Sequence, residues 1–244
     1  MKTVFLSAGH GGKDPGAVAF GLKEKDINLA VLLACTHELE RHGVKVIASR
    51  LKDENDPKED EAREANASGA SVAVSFHVNA GKGDGFEAFY FTSSTEARTL
   101  ATLCEKHING IGQNSRGIKS GNHLYWCTKT KMPAVLVECF FIDSNDRLIG
   151  DTPTEQAGFG VAFAKAILEY LGIPYKGAEV VTDKEVIKII KAYEAAKATE
   201  KVSAWSKASW EKAKKKGIMD GTMPKSPLTR EQFAVILDRL GHLD

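Results

Sequence analysis

The stretch "VFLSAGHGGKDPGA", Val4 to Ala17, places an imidazole at the exit of a short β-prone run and surrounds it with glycine. Val4, Phe5 and Leu6 read as a buried strand, and His10 is the first side chain beyond it that can do chemistry. Gly11 and Gly12 allow unusual backbone angles and let a ligand come close. Neither the phosphate-loop nor the dinucleotide-binding glycine pattern is present, so the turn is not read as a phosphate cradle. Attention falls on His10 itself.

Working outward, strand-like and helix-like segments alternate from Met1 to about Tyr175. "KTVFLS", "VKVIAS", "SVAVSF", "GFEAFYF" and "AVLVECFF" read as strands. "DINLAVLLACTHELERHG" has Ile27, Val31, Leu32, Cys35 and Leu39 at helical spacing, and three further segments read as helices. The last, "EQAGFGVAFAKAILEYLG", ends at Gly172 with Pro174 beyond. This alternation predicts an α/β fold, a twisted and mostly parallel sheet sandwiched by helices. A small all-α C-terminal domain is expected to follow. The expected boundaries are a catalytic domain over 1–175, a linker over 176–181 and a helical domain over 182–244.

The chain has 244 residues, 43% of them hydrophobic and 27% charged, with a formal net charge of +1. That size allows one good core and a small second domain, and that charge disfavours a nucleic-acid partner. Cys35, Cys104, Cys127 and Cys139 are scattered and read as reduced, mostly buried thiols. No apolar run approaches the ~20 residues of a membrane span, and the N-terminus reads as lacking a signal peptide. The expectation is a product made in the cytoplasm, with no membrane insertion.

In open α/β sheets, functional groups gather at the carboxyl ends of strands. His10 and His77 are predicted at two such ends, Glu138 at or near a third, and Glu24 just before the first helix. Two imidazoles and a carboxylate around an open position make the ligand set of a catalytic zinc site, with Glu138 left as general base. Plainer readings stand beside this one. His10 alone reads as a hydrogen-bonded turn residue, Glu24 as an exposed charge and His77 as a core histidine satisfied by backbone. Glu138 is harder to explain that way, because an acid ending "AVLV" is costly to bury unpaired.

"SAGHGGKDPGA", "GLKEKDINLA", "SFHVNA", "GFEAFYF" and "AVLVECFF" together resemble the successive signatures of the zinc-dependent N-acetylmuramoyl-L-alanine amidases of the amidase type 3 family. The resemblance covers nearly all of the first 175 residues. It implies that His10, Glu24 and His77 bind zinc (Zn2+) and that Glu138 is the catalytic acid/base. Gly11, Gly12 and Gly16 would keep the approach open for a branched glycopeptide, and Asn79 would hold a polar group of it. The tail "SWEKAKKKGIMDGTMPKSPLTREQFAVILDRLG" is similar to S-layer-homology-like wall-binding segments. An amidase joined to such a tail looks like a phage endolysin, with bacterial peptidoglycan and a secondary wall polymer as partners. The amphipathic helix expected from Val181 offers a route to a dimer.

Two departures from the family pattern stand out. Phe140 replaces the usual glycine, which predicts a bulkier floor beside Glu138. Thr128 and Lys129 stand where an arginine is common, and no role is assigned to them or to His123. A zinc carboxypeptidase is the nearest rival, but it would want its first histidine and glutamate closer together than His10 and Glu24. A non-catalytic wall-binding protein with structural zinc would usually show four ligands, often cysteines.

Overall fold

The computed structural model describes residues 2–177 and 207–216. The run that carries His10 forms β1 (Thr3–Ala8), buried from Val4 onward. It is followed by a two-residue hairpin, β2 (Val18–Ala19) and β3 (Leu22–Lys23), then α1 (Glu24–Arg41), β4 (Lys45–Ala48) and α2 (Lys58–Ala67). β5 (Val72–Asn79), β6 (Phe86–Tyr90), α3 (Thr95–Asn109), β7 (Ser115–Ser120), α4 (Tyr125–Lys129) and β8 (Ala134–Phe141) come next. A 3-10 turn (Asn145–Ile149) leads to α5 (Pro153–Tyr170), which opens on a reciprocal cap between Thr152 and Glu155 with Pro153 in its first turn.

Six strands form one sheet in the order β4-β1-β5-β8-β6-β7. All neighbours run parallel except β6 and β8, which are antiparallel. The chain leaves β1 for β4 on one side and later returns to β5 on the other. That reversal opens a crevice at the carboxyl ends of β1 and β5, where His10 and His77 sit.

Strand alternation divides the side chains between two unequal layers. Val4, Leu6, Val74, Phe76, Val135 and Val137 face the main core, which α1, α3 and α5 complete with residues such as Leu32, Leu100 and Phe163. The other face has a smaller cluster around Phe5, Ala73 and Leu136, covered by Ala65 of α2 and Trp126 of α4. His77, Glu138 and Glu87 share the parity of this thinner face. All four cysteines are free and buried.

The sheet corrects several expectations. β7 and the β2–β3 hairpin were not foreseen, and β6 opposes its neighbour β8. α1 begins at Glu24 itself, so Glu24 lies in the helix's first turn. β5 continues past its expected end at Phe76, whereas β8 spans the expected "AVLVECFF" with Glu138 well before its end, so His77 and Glu138 both lie inside their strands. Phe140 does not form a floor beside Glu138. The pairing of β5 with β8 shifts after His77 and Glu138, so that Asn79 opposes Phe141; such a bulge re-aims side chains. Phe140 therefore turns into the main core, its ring 5.7 Å from that of Phe159.

The chain divides into two compact units, Met1–Gly177 and Ala178–Asp244. In the second, α6 (Lys207–Lys215) is described. The helix expected from Val181 lies outside the described residues. No helix among the described residues is long and apolar enough to cross a membrane.

Candidate metal centre

His10, Glu24 and His77 converge, each offering one donor atom within 4.8 Å of the others. Glu24 is the hub. Its Oε1 lies 3.2 Å from His10 Nε2 and 3.0 Å from His77 Nδ1, and it accepts the Val78 backbone N–H at 3.1 Å. Its Oε2 accepts from the Ala17 N–H at 2.8 Å. The two rings meet edge to face, their centroids 5.2 Å apart.

The surroundings hold this geometry under strain. His10 has φ +65°, a left-handed conformation that a side-chain-bearing residue adopts at a cost. Asp14 secures it by bonding His10 Nδ1 through Oδ2 at 2.8 Å, while its Oδ1 accepts from Gly16 N at 3.0 Å. Behind the turn, the buried Arg50 donates to the carbonyls of Ala8 at 2.9 Å and Lys25 at 2.7 Å. One guanidinium thus ties the end of β1 to the start of α1. Asn28 adds a bond to the Gly9 carbonyl at 3.0 Å.

The glycines nearest the cluster are Gly9 and Gly16. A Cβ on Gly9 would fall 2.1 Å from the His77 ring, and one on Gly16 would fall 2.6 Å from Glu24 Oε2 and 2.8 Å from His10 Cδ2. Gly11 and Gly12 point elsewhere. Their Cβ positions meet the backbone of Glu54 at 2.2 Å and of Asn55 at 2.8 Å, so these glycines make room for a loop. Asn79 ends β5 and donates through Nδ2 to Glu87 at 3.3 Å. His123 packs edge-on against Phe89 and Lys129 closes α4, away from the cluster's hydrogen bonds.

The charges are strongly coupled. The hydrogen bond to Glu24 lifts His10 to about 9 against the opposing effect of burial. Burial also opposes the charge of His77, but Glu24 and Glu138 outweigh it and raise its pKa. Glu24 would be pushed up by burial, yet its bonds to both imidazoles hold it well below the usual carboxylate range. Glu138 goes the other way, to about 7, because burial penalises its charge and Glu24 and Glu87 repel it. Its Oε2 is closed off from solvent and has no hydrogen-bond partner. Two imidazoles and a carboxylate held ionised fit a cation, and a carboxyl that titrates near neutrality beside them fits proton transfer.

Asp14, Arg50 and Glu87 were absent from the sequence-based site. Asp14 sits four residues after His10, and Glu87 interrupts the apolar run of "GFEAFYF"; those were the available signals.

Comparison with known proteins places the fold and the family. The sequence pattern of the N-acetylmuramoyl-L-alanine amidase family matches residues 4–169. The endolysin of Bacillus phage SPP1 is 42% identical over 154 residues, 59% of this chain and 56% of that protein. The sporulation-specific N-acetylmuramoyl-L-alanine amidase of Bacillus subtilis is 36% identical over 148 residues, 59% of this chain and 58% of that protein. The chain thus spans little more than half the length of either relative. Among solved structures, the catalytic domain of CwlV, an N-acetylmuramoyl-L-alanine amidase from Bacillus (Paenibacillus) polymyxa, superposes with a TM-score of 0.67 at 29% identity, covering 71% of this chain and 100% of that one. Over residues 4–169, the chain belongs to the N-acetylmuramoyl-L-alanine amidase family.

Proposed function

We propose that this chain hydrolyses peptidoglycan at the amide bond between N-acetylmuramic acid and L-alanine, with zinc held by His10, Glu24 and His77 and with Glu138 as general acid and base. One observation carries the reading: three metal donors converge within 4.8 Å, and the register partner of one of them, Glu138, has a carboxyl oxygen that is buried and unpartnered. Two histidines and one carboxylate suit a catalytic zinc, which takes three protein ligands and keeps a position open. When bound, zinc would supply Lewis-acid polarisation of the amide carbonyl and acidify water at the site.

Glu138 carries the proton. As a carboxylate it takes the proton of the attacking water. As a carboxylic acid it then delivers that proton to the L-alanine nitrogen, so the C–N bond breaks with a neutral amine leaving. A pKa of about 7 suits both halves of this cycle near neutral pH. The products are a muramoyl carboxylate and a free L-alanine amino terminus.

The reaction belongs at the bacterial cell wall, as in the endolysin and sporulation relatives. The division of the chain at Gly177 supports a catalytic unit joined to a separate segment, which we read as wall-binding, for peptidoglycan or a secondary wall polymer. Digestion of purified peptidoglycan tests the chemistry. New L-alanine amino termini without new reducing sugar ends, lost on chelation and restored by zinc, are expected. New reducing ends, or amino termini of other residues, would overturn the assignment.

A further inference from the structure

A row of polar side chains crosses the thinner face of the sheet. His77 on β5 is the register partner of Glu138 on β8, and Glu138 is the register partner of Glu87 on β6. The edge strand β7 completes the row. Arg116 Nε and Lys119 Nζ each reach Glu87 Oε1 at 2.5 Å, while Asn79 occupies Oε2. Neither cation has another carboxylate partner among the described residues.

The arrangement is layered. The Glu87 side chain is 7% exposed, whereas those of Arg116 and Lys119 are 44% and 36% exposed. One buried carboxylate therefore holds two cations at the surface and neutralises only one of them. Arg116 is steadied further by the Phe141 ring, 5.3 Å below its guanidinium. The outcome is a fixed, accessible positive charge in line with the carboxyl proposed to cut the substrate.

We propose that Arg116 and Lys119, braced by Glu87, form an anion subsite for a carboxylate in the peptide portion of the substrate. The proposal rests on the amidase reading above. The chemistry of the substrate narrows the source of the charge. The muramoyl carboxyl is consumed in the amide bond to be cut, and the rest of the sugar offers hydroxyl and acetamide groups. The anion must come from the peptide, as a side-chain carboxylate or as its terminus. From β8 to β7 is two strand spacings, about 10 Å, the reach of roughly three residues of extended chain. An arginine fork with a lysine beside it matches a carboxylate by charge and by hydrogen bonding.

Three soluble substrates with the same N-acetylmuramoyl-L-alanyl bond test this. One carries a side-chain carboxylate and an amidated terminus, one a neutral side chain and a free terminus, and one is neutral at both. The wild-type protein is expected to favour one anionic substrate over the neutral one by about tenfold in kcat/KM, mainly through KM, as a charge-assisted hydrogen bond provides. The favoured arm identifies the source of the carboxylate. Arg116→Gln and Lys119→Gln, each leaving Glu87 one cationic partner, should shrink the preference, while Lys119→Arg should retain most of it and Arg116→Lys, which keeps the charge but loses the fork, only part. Equal wild-type rates on all three substrates would overturn the subsite and leave the amidase intact, without recourse to any variant. An undiminished preference in both glutamine variants would overturn the assignment to these residues. No cleavage of any of the three would overturn the amidase reading and the subsite with it.

Discussion

His77 and Glu138 are register partners on adjacent parallel strands, side by side on the thinner face of the sheet. A proposed metal ligand and the proposed proton carrier are thereby held one strand spacing apart by backbone hydrogen bonds alone. Neither depends on a loop for its position. The third and fourth partners, His10 and Glu24, are placed differently, one on a strained turn and one in a helix's first turn.

Asp14 anchors the turn. It holds His10 Nδ1 at 2.8 Å while standing largely exposed itself. Asp14→Ala should leave the fold intact and weaken zinc binding by about 10- to 100-fold, the usual cost of losing the partner of a metal-binding histidine. Competition with a chelator of known affinity reads this out. Unchanged affinity would remove Asp14 from the site.

Gly16 has φ +64°, and any Cβ there would press on Glu24 and His10. Gly16→Ala should therefore lower zinc affinity and activity together. Gly158, inside α5 with open space at its Cβ position, is the matched control. Gly158→Ala should raise stability by about 0.5–1 kcal/mol, as alanine does in a helix interior. Thermal melts and activity on the two variants separate the effects.

Glu87 gives a pH signature. Burial works against its charge, but the hydrogen bonds from Lys119 and Arg116 outweigh it and hold the carboxyl below its usual range. A lowered folded-state pKa means that the stabilisation is fully present above the unfolded value and fades as pH falls through the folded one. Glu87→Gln should cost about 1–2 kcal/mol at neutral pH, with the gap narrowing once pH drops below about 4. Urea unfolding at the two pH values measures it. An equal gap at both would show that the ion pairs contribute nothing.

Much of the fold could be read from the chain because its central strands are apolar runs between helices of regular periodicity. β1, β5 and β8 declared themselves in that way, as did α1, α3 and α5. β7 did not: "SRGIKS" is polar, contains Gly117 and lies half exposed at the sheet edge, so no alternation marks it. The start of α1 was misplaced because Lys23 at its N-cap makes no side-chain capping bond, leaving no local sign. His10, Glu24, His77 and Glu138 were legible as residue types in family motifs, although Glu24 lies in a helix's first turn and His77 and Glu138 lie inside strands and not at their ends. Their supports were not. Arg50 acts through backbone carbonyls brought near it only by folding, and the glycines that matter to the cluster, Gly9 and Gly16, are identified by what their missing Cβ atoms would strike.

The central claim is that Glu138 moves the proton while His10, Glu24 and His77 hold the metal. Zinc content and turnover on muramoyl-L-alanyl peptides, measured on one preparation of Glu138→Gln, test it most directly. Glutamine keeps the shape of the side chain and removes its ability to take a proton. The expected result is zinc content equal to that of the wild type with turnover reduced by about 10²- to 10⁴-fold, the usual contribution of general acid–base catalysis. Turnover within a few-fold of wild type at full zinc content would contradict the account.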